Sequence, residues 1–548
     1  VRCAGPPPRF DVSPDRPYVS TARRPFTSAW LAGETAACAL LPAPTDPAAR
    51  AAAVHRAAGP VSAPVMAALR AATPDPHPAQ AAHLAALACG EAACVVTGQQ
   101  AGLFGGPLYT LHKAASVIAH ARALTDESGR RCVPVFWLQS EDHDFAEIAT
   151  CHLVDQGHAP LAVSVPGDPA EADRSVGARR LGPPVEAALD RLAHSLPDGP
   201  HRAATLALLR QHYRPDASPV AAFAGLMDAL FRAHGLLLLD PRAPGLAAAA
   251  RPVHRFALDQ AGPIAAALTA RARALAEAGF KVQVHVRPRA PLSFYHPAGP
   301  DGPRARLVPD GPDAWALPDG ARLPRAGAGD APGHFSTSAL LRPLLQDTWL
   351  PTAAYVGGPG EIAYLAQVGP LYPLAGQPQP LAIHRNRFWL TTPALERTLG
   401  HLGLGADDLS APRAELLTRL GTAGAGQIEP AALAAALIEP LSATLDDFAP
   451  TAAAVDRGLA KAATRARRRM ARLAERLADR YARDLARNDA TTRARLDRAR
   501  AWLRPGDGPQ ERTLNWAAFG PAIGPEALVA RLVDAATPFD PVERTLCL

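Results

Sequence analysis

Three short stretches hold most of the side chains suited to chemistry. The first runs Thr97, Gly98, Gln99, Gln100, then Gly102, Gly105 and Gly106, and leads into a helical pattern that opens at Pro107 and carries Tyr109 and Lys113. Glycines let a backbone turn tightly and approach a ligand closely. Free N–H groups at a helix start, aided by the helix dipole, favour a phosphate or carboxylate there. Lys113 lies about two turns into that helix, where its flexible stem can bring a point charge back toward the same anion. The chain has only three lysines, Lys113, Lys281 and Lys461, among 57 basic residues, so arginine carries the surface charge. That scarcity favours a ligand role for Lys113 over a lysine snorkelling behind a structural turn.

The second stretch is Gln139, Ser140, Glu141, Asp142, His143 and Asp144. Four ionisable side chains in a row can supply a general base, hold an ammonium group or ligate a divalent metal. A local role competes: Ser140 or Asp144 as a helix N-cap, with Asp144 and Glu147 forming a capping box. Both roles are expected, with some of the acids facing a cleft. One segment rarely supplies a complete ligand set, so no metal site is assigned. The third stretch has Gly357, Gly358 and Gly360 ahead of a second helix start, then Glu361, Tyr364 and Gln367. Four of the eight tyrosines (Tyr109, Tyr355, Tyr364, Tyr372) fall in the first and third stretches. Tyrosine offers a cleft an apolar face and a hydrogen-bonding tip; Tyr372, ahead of a proline, reads as core packing.

These groups act together only if their elements bring them to one edge. The runs ACVVTG, CVPVFWLQ, GLLLLD (235–240), KVQVHV (281–286), AAYVGG (353–358) and PLAIHR (380–385) are predicted strands. The helical pattern between the first two makes a parallel, right-handed crossover unit. In an open parallel sheet ligands bind beyond the carboxyl ends of the strands, where each of the three stretches would lie. An α/β core over residues 1–390 is therefore expected, with a helical, alanine-rich start. Insertions are expected near 156–230, read as largely helical, and 288–332, with short strands LSFYH and RARLVP. From about residue 391 no further strands are predicted. Leu459, Ala462, Ala466, Met470, Leu473 and Leu477 step by three or four in a heptad-like seam. With Pro440 and Pro450 as breaks upstream, residues 391–505 read as a helical coiled-coil domain. Residues 506–548 read as a segment packing back on the core.

Composition bounds the rest. A hydrophobic content of 48% and a charged content of 20% are globular values, and a net charge of +6 over 548 residues is mild. The arginine run Arg465–Arg472 is diluted by Glu475, Asp479 and Asp484, so nucleic acid is not an expected partner. Seven cysteines with no C-x-x-C spacing show no disulfide framework and fit a reducing compartment. No signal-peptide pattern or membrane-spanning run is present, and a cytoplasmic location is expected.

Taken in order, TGQQAGLFGGPLYTLHKA, VPVFWLQSEDHDFAEI and LLRPLLQDTWLPTAAYVGGPGEIAYLAQ resemble the bacillithiol-synthesis cysteine-adding enzymes, over about residues 90–390. PQERTLNWAAFGP (509–521) is a weaker echo. The resemblance implies a Rossmann-like core with two connecting insertions and a C-terminal coiled coil supporting a homodimer. It implies a ligase joining the carboxyl of L-cysteine to the amine of glucosaminyl-malate, with ATP as co-substrate and Mg accompanying the nucleotide. By it, Arg342, Gln346 and Arg385 join the cleft candidates, and Lys113, Asp142, His143 and Asp144 become the catalytic ones. His384, Arg387 and Trp389 depart from the family pattern; the resemblance implies a topology related to class I aminoacyl-tRNA synthetases, but their HIGH and KMSKS signatures are absent. A metal-dependent hydrolase or nucleotidyltransferase using the acids, or a non-enzymatic nucleotide-binding scaffold, are the alternatives.

Overall fold

A computed structural model describes residues 24–284, 290–327, 331, 333–421, 428–488 and 490–548. Five strands build its centre: β1 (Ala93–Gln99), β2 (Cys132–Leu138), β3 (Leu237–Leu239), β4 (Thr352–Gly357) and β5 (Leu381–His384). All neighbours are parallel, and the order across the sheet is β5-β4-β1-β2-β3. The chain winds from β1 through β2 to β3, then returns to the other side of β1 for β4 and β5. This reversal makes a switch point between β1 and β4, and an α/β sheet binds its ligands outside the carboxyl ends of such strands.

The strands are apolar along their whole length because both sheet faces are covered. Ala93 and Val95 pack with Phe136 and Val356 on one face, while Cys94 and Val96 pack with Val133, Val135 and Trp137 on the other. Helix α1 (Tyr109–Ser128) links β1 to β2 and ends on Gly129 in the left-handed conformation. Helix α2 (Arg342–Trp349) precedes β4 and α3 (Pro359–Val368) follows it.

Two insertions interrupt this frame. After β2 come an antiparallel hairpin (Thr150–Val154 with Pro160–Ser164) and helices Pro184–Ser195, Arg202–His212 and Pro219–Phe231. The expected helical stretch 156–230 thus contains a strand, whose inward face is essentially Val163, too short a signal to show a period. After β3, helices Leu246–Asp259 and Ala261–Glu277 lead to two small antiparallel sheets between Ser293 and Thr337. Lys281–Val284 is not a strand, contrary to expectation. The Val284 backbone is paired instead with the Gln367 side chain, which accepts from its N–H at 3.0 Å and donates to its carbonyl at 2.6 Å. Residues 285 and 286 of that run lie outside the described residues.

Strands do not stop near 391 either. Arg387–Thr391 pairs in parallel with Glu543–Cys547, which brings the end of the chain onto the core. Between them, α4 (Pro430–Val455) and α5 (Arg457–Asn488) form a helical hairpin turning at Asp456. Pro440 and Pro450 lie inside α4 rather than breaking it. Both are exposed, so the carbonyl each leaves unpaired faces water. The hairpin buries Ala452, Ala474, Ala478 and Ala482, whereas Leu459, Met470, Leu473 and Leu477 of the expected seam stay exposed. Small residues let the two helices approach, and the larger apolar stripe is left without a partner among the described residues. Among the described residues no helix is long and apolar enough to cross a membrane.

Candidate active site

The switch point is bridged by one side chain. Lys113 reaches back from α1 so that Nζ donates to the Gly98 carbonyl at 2.8 Å and to Gln99 Oε1 at 2.9 Å. It lies 2.5 Å from Glu361 Oε2, so the end of β1 is tied to the helix that follows β4. Glu361 also accepts from Tyr355 Oη at 2.6 Å and from the Gly358 N–H at 2.9 Å. Burial pulls the Lys113 ammonium below its usual value, partly offset by Glu361. Burial would raise the Glu361 carboxyl, but Lys113, Tyr355 and the Gly358 N–H outweigh it and hold it low. Gln99 in turn donates to Tyr109 Oη at 3.1 Å. Gly98 is required here, because a Cβ would sit 2.9 Å from the Trp137 carbonyl oxygen on β2. Thr97 faces the neighbouring strand and donates to the Val356 carbonyl at 2.7 Å.

The acids after β2 stand on the same rim. Gln100, next to the residue that holds Lys113, donates to Asp142 Oδ2 at 2.8 Å and to Glu147 Oε2 at 2.7 Å. Asp142 Oδ1 accepts the His143 N–H at 2.7 Å and the Asp144 N–H at 3.3 Å. Burial opposes ionisation of Asp142, but these hydrogen bonds prevail and its pKa is lowered. Glu141 accepts Thr337 Oγ1 at 2.8 Å, yet burial wins and its pKa is raised. His143 lies beside His296 with ring centroids 5.9 Å apart, and its Nε2 is buried with no partner among the described residues. Burial, Arg304 and His296 push it down to about 4. Three neighbouring groups are thus held in different protonation tendencies, the arrangement that general acid–base work requires. Asp144 is exposed and accepts the Glu147 N–H at 3.1 Å, a helix cap. Ser140 is turned to Asp240.

The glycine turns are closed rather than open. Gly105 has φ +93°, and its N–H donates to Tyr213 Oη at 2.9 Å. A Cβ there would meet the Trp516 indole at 3.0 Å. The N–H groups of Gly106 and Leu108 donate to the carbonyls of Leu103 and Leu514. Asn515 and Trp516 cover the turn, donating to the carbonyls of Gly106 (2.7 Å) and Phe104 (2.8 Å). The expected phosphate cradle at this helix start is therefore occupied by the protein itself. Gly357 passes within 2.9 Å of Glu361 Cβ when given a Cβ, and the Gly358 N–H is already taken by Glu361.

Arg385 is similarly engaged. It pairs bidentately with Glu511 at 2.6 and 2.7 Å, both buried, and His112 Nδ1 lies 3.3 Å from the same carboxylate. Burial would raise Glu511, but Arg385 and His112 hold it well below the usual carboxylate range. Gln346 is buried and donates to Asp347 at 3.0 Å, and Gln367 holds Val284 as described. Tyr364 is half-buried on α3, its phenol raised by burial and by Glu361.

Beyond the acids lies a cavity of about 420 Å³. Glu141 and Asp142 line one part of it, and Arg304, Arg306, Arg342 and Ser338 others. Arg304 also lies over the Phe294 ring at 4.7 Å. The site therefore presents both signs of charge across one space at the carboxyl rim. Among the described residues no group of three or more His, Cys, Asp or Glu side chains could hold a metal ion.

Residues 59–386 match the family model described as the N-terminal Rossmann-like domain of bacillithiol biosynthesis BshC, and residues 388–545 match that of its C-terminal coiled-coil domain. The chain belongs to the BshC family. Among the BshC relatives, that of Salinibacter ruber is 33% identical over 440 residues, 79% of each chain. That of Koribacter versatilis is 35% identical over 453 residues, 81% of each chain. Both carry the name "Putative cysteine ligase BshC". The Rossmann-like sheet and the long C-terminal helices agree with the BshC boundaries. Sequence reasoning missed Glu511, Thr337, Arg304 and His296 as parts of this candidate site. Glu511 could have been found as an acid inside the PQERTLNWAAFGP echo. Arg304 and His296 lie in the insertion rich in Pro, Gly and Asp, and Thr337 just after it, where no periodicity marks which side chains turn inward.

Proposed function

We propose that this chain is an ATP-dependent ligase that joins the carboxyl of L-cysteine to the amine of glucosaminyl-malate, the last step of bacillithiol synthesis. Membership of the BshC family supports the cysteine-ligase class. The single structural observation that carries the finer reading is the rim where Lys113 and Glu361 bridge the switch point beside a cavity lined by acids and arginines.

Amide formation needs the cysteine carboxylate activated, and then a neutral amine to attack it. Charge that builds up on acyl or phosphoryl oxygen is best met by fixed donors in a site shielded from water. The N–H groups of Gly105, Gly106 and Gly358 and the three donors of Lys113 are already used, so this work falls to Arg304 and Arg342. The incoming amine must lose a proton. Asp142 is ionised and points toward the cavity rim, and His143 offers an unpartnered Nε2. An anionic substrate that neutralises Arg304 would also raise His143 and make it a better base. The two malate carboxylates complement the arginines on the cavity wall. ATP supplies the activating phosphoryl or adenylyl group, with Mg²⁺ on its phosphates. The exposed stripes Leu459, Met470, Leu473, Leu477 on α5 and Leu437, Leu441, Phe448, Val455 on α4 fit a homodimer formed through the hairpin.

The test is incubation of purified protein with ATP, cysteine and glucosaminyl-malate, followed by mass analysis for the condensed thiol. Product that depends on all three supports the ligase. Turnover that ignores cysteine and vanishes with a chelator would instead favour the metal-dependent hydrolase.

A further inference from the structure

The cavity beside the acids is bounded by two separate parts of the chain. Glu141 and Asp142 stand on the loop after β2, whereas Phe294, Arg304 and Arg306 belong to the insertion after β3. The spacing of the two parts decides whether one substrate can meet acid and arginine together. Arg242, which does not line the cavity itself, joins them.

Its aim is set locally. β3 ends at Leu239, and Asp240 turns the chain there: its carboxylate accepts the Arg242 N–H at 2.9 Å and its carbonyl the Ala243 N–H at 3.0 Å. The same carboxylate accepts from Ser140 Oγ, which ties the turn to the residue beside Glu141. The Arg242 side chain then runs along Gly177, where a Cβ would meet its Cδ at 2.9 Å and its Nε at 3.0 Å. That segment also holds the acid loop. The N–H groups of Val176 and Gly177 donate to the carbonyls of Asp142 (2.7 Å) and Ser140 (3.0 Å). Beyond Gly177 the guanidinium reaches the insertion, where Nη1 donates to the Pro300 carbonyl at 2.9 Å and Nη2 pairs with the Asp301 carboxylate.

What it holds there is a turn closed on itself. The Gly299 N–H donates to the His296 carbonyl at 3.1 Å and the Gly302 N–H to the Gly299 carbonyl at 3.0 Å. His296 Nδ1 lies 3.0 Å from the Gly302 carbonyl. At one end the turn carries His296, beside His143, and just past the other comes Arg304, over Phe294. A planar guanidinium making two bonds fixes orientation as well as distance. We infer that Arg242 is a positioning residue for the ligase reaction proposed above, on which this inference rests: it holds the insertion so that Arg304 faces Asp142 across the cavity.

Two measurements test this, one of them independent of turnover. Hydrogen exchange of the full chain is expected to quicken over residues 298–306 in Arg242→Ala and to stay unchanged in β1 and β2. Thiol formation by that variant should fall about tenfold in kcat/KM, within the range of coupled neighbours. Arg304→Ala should fall at least as far. Adding Arg242→Ala to it should lower the rate no further, because both changes remove the same contact with substrate. Arg242→Lys keeps a donor for one of the two acceptors and should recover part of the rate. Losses that multiply in the double variant, or an undiminished rate in Arg242→Ala, would overturn the inference. If the wild-type chain makes no thiol, the ligase reading falls, and exchange decides the tie by itself: unchanged exchange over 298–306 overturns it. If Arg242→Ala does not fold, Asp301→Ala takes its place, since Asp301 is exposed and outside the cavity lining.

Discussion

Lys113 Nζ lies 2.5 Å from Glu361 Oε2, an ion pair buried between the helix after β1 and the helix after β4. It closes the point at which the sheet reverses its winding. A lysine at this place is more than a reactive group, because its loss strands a carboxylate. Lys113→Met is expected to destabilise the chain by about 3 kcal/mol, since removing one member of a buried pair leaves the other uncompensated. Adding Glu361→Gln should restore most of that stability without restoring thiol formation. Denaturant unfolding of the single and double variants, alongside product assays, separates the two effects.

Asp142 ties the acids to the same rim through Gln100, at 2.8 Å. Asp142→Asn preserves shape but removes the negative charge. Its product rate is expected to fall by about 10²–10⁴-fold, the usual worth of a proton-transfer group. Its unfolding midpoint should move little. A rate within a few-fold of wild type would remove Asp142 from the chemistry.

Acid should unfold this chain through its buried imidazoles. Burial pushes His120, His254 and His384 each down to about 4, while in the unfolded chain a histidine titrates near 6.5. The unfolded state then binds more protons between those values, so stability is intact above about pH 6.5 and is lost as pH falls toward 4. Each contributes a slope of about 1.4 kcal/mol per pH unit within that window. Unfolding free energies measured from pH 7 to 4.5 should show a steep decline, and replacing any one of the three with a neutral residue should make it shallower.

Arg385 and Glu511 join the core to the C-terminal segment by two parallel hydrogen bonds. Arg385→Lys cannot make both, and its loss is expected to cost about 2 kcal/mol. Glu511→Gln should cost about 3 kcal/mol or more, because the guanidinium stays buried. Both variants are expected to speed proteolysis between residues 504 and 515, which mass mapping of early fragments would reveal.

Leu473 and Leu477 are each 52% exposed, outside the alanine seam of their own hairpin. Replacing both with glutamate should turn a dimer into a monomer in light scattering and leave the thermal midpoint of the monomer within about 2 °C, as surface changes do. If the mass is unchanged, the dimer does not form through this stripe.

The sequence by itself determined much of the frame. Short apolar runs located all five central strands, because a parallel sheet buried on both faces needs unbroken hydrophobic segments. It also marked the stretches around Lys113, Glu141 and Glu361, since local composition records where a backbone turns and where charge collects. What each side chain touches was decided only by the tertiary structure. Gly105 and Gly106 read as an open phosphate cradle, yet Asn515 and Trp516 from some 400 residues away cover them. Arg385 read as a cleft residue and is held by Glu511. Lys281–Val284 has the alternation of a strand, but Gln367 takes the Val284 backbone bonds and the Lys281 N–H goes to the Arg24 carbonyl. The physical reason is common to all three: an unpaired donor or charge accepts whichever partner the fold brings near, and a partner distant in sequence leaves no trace in local spacing.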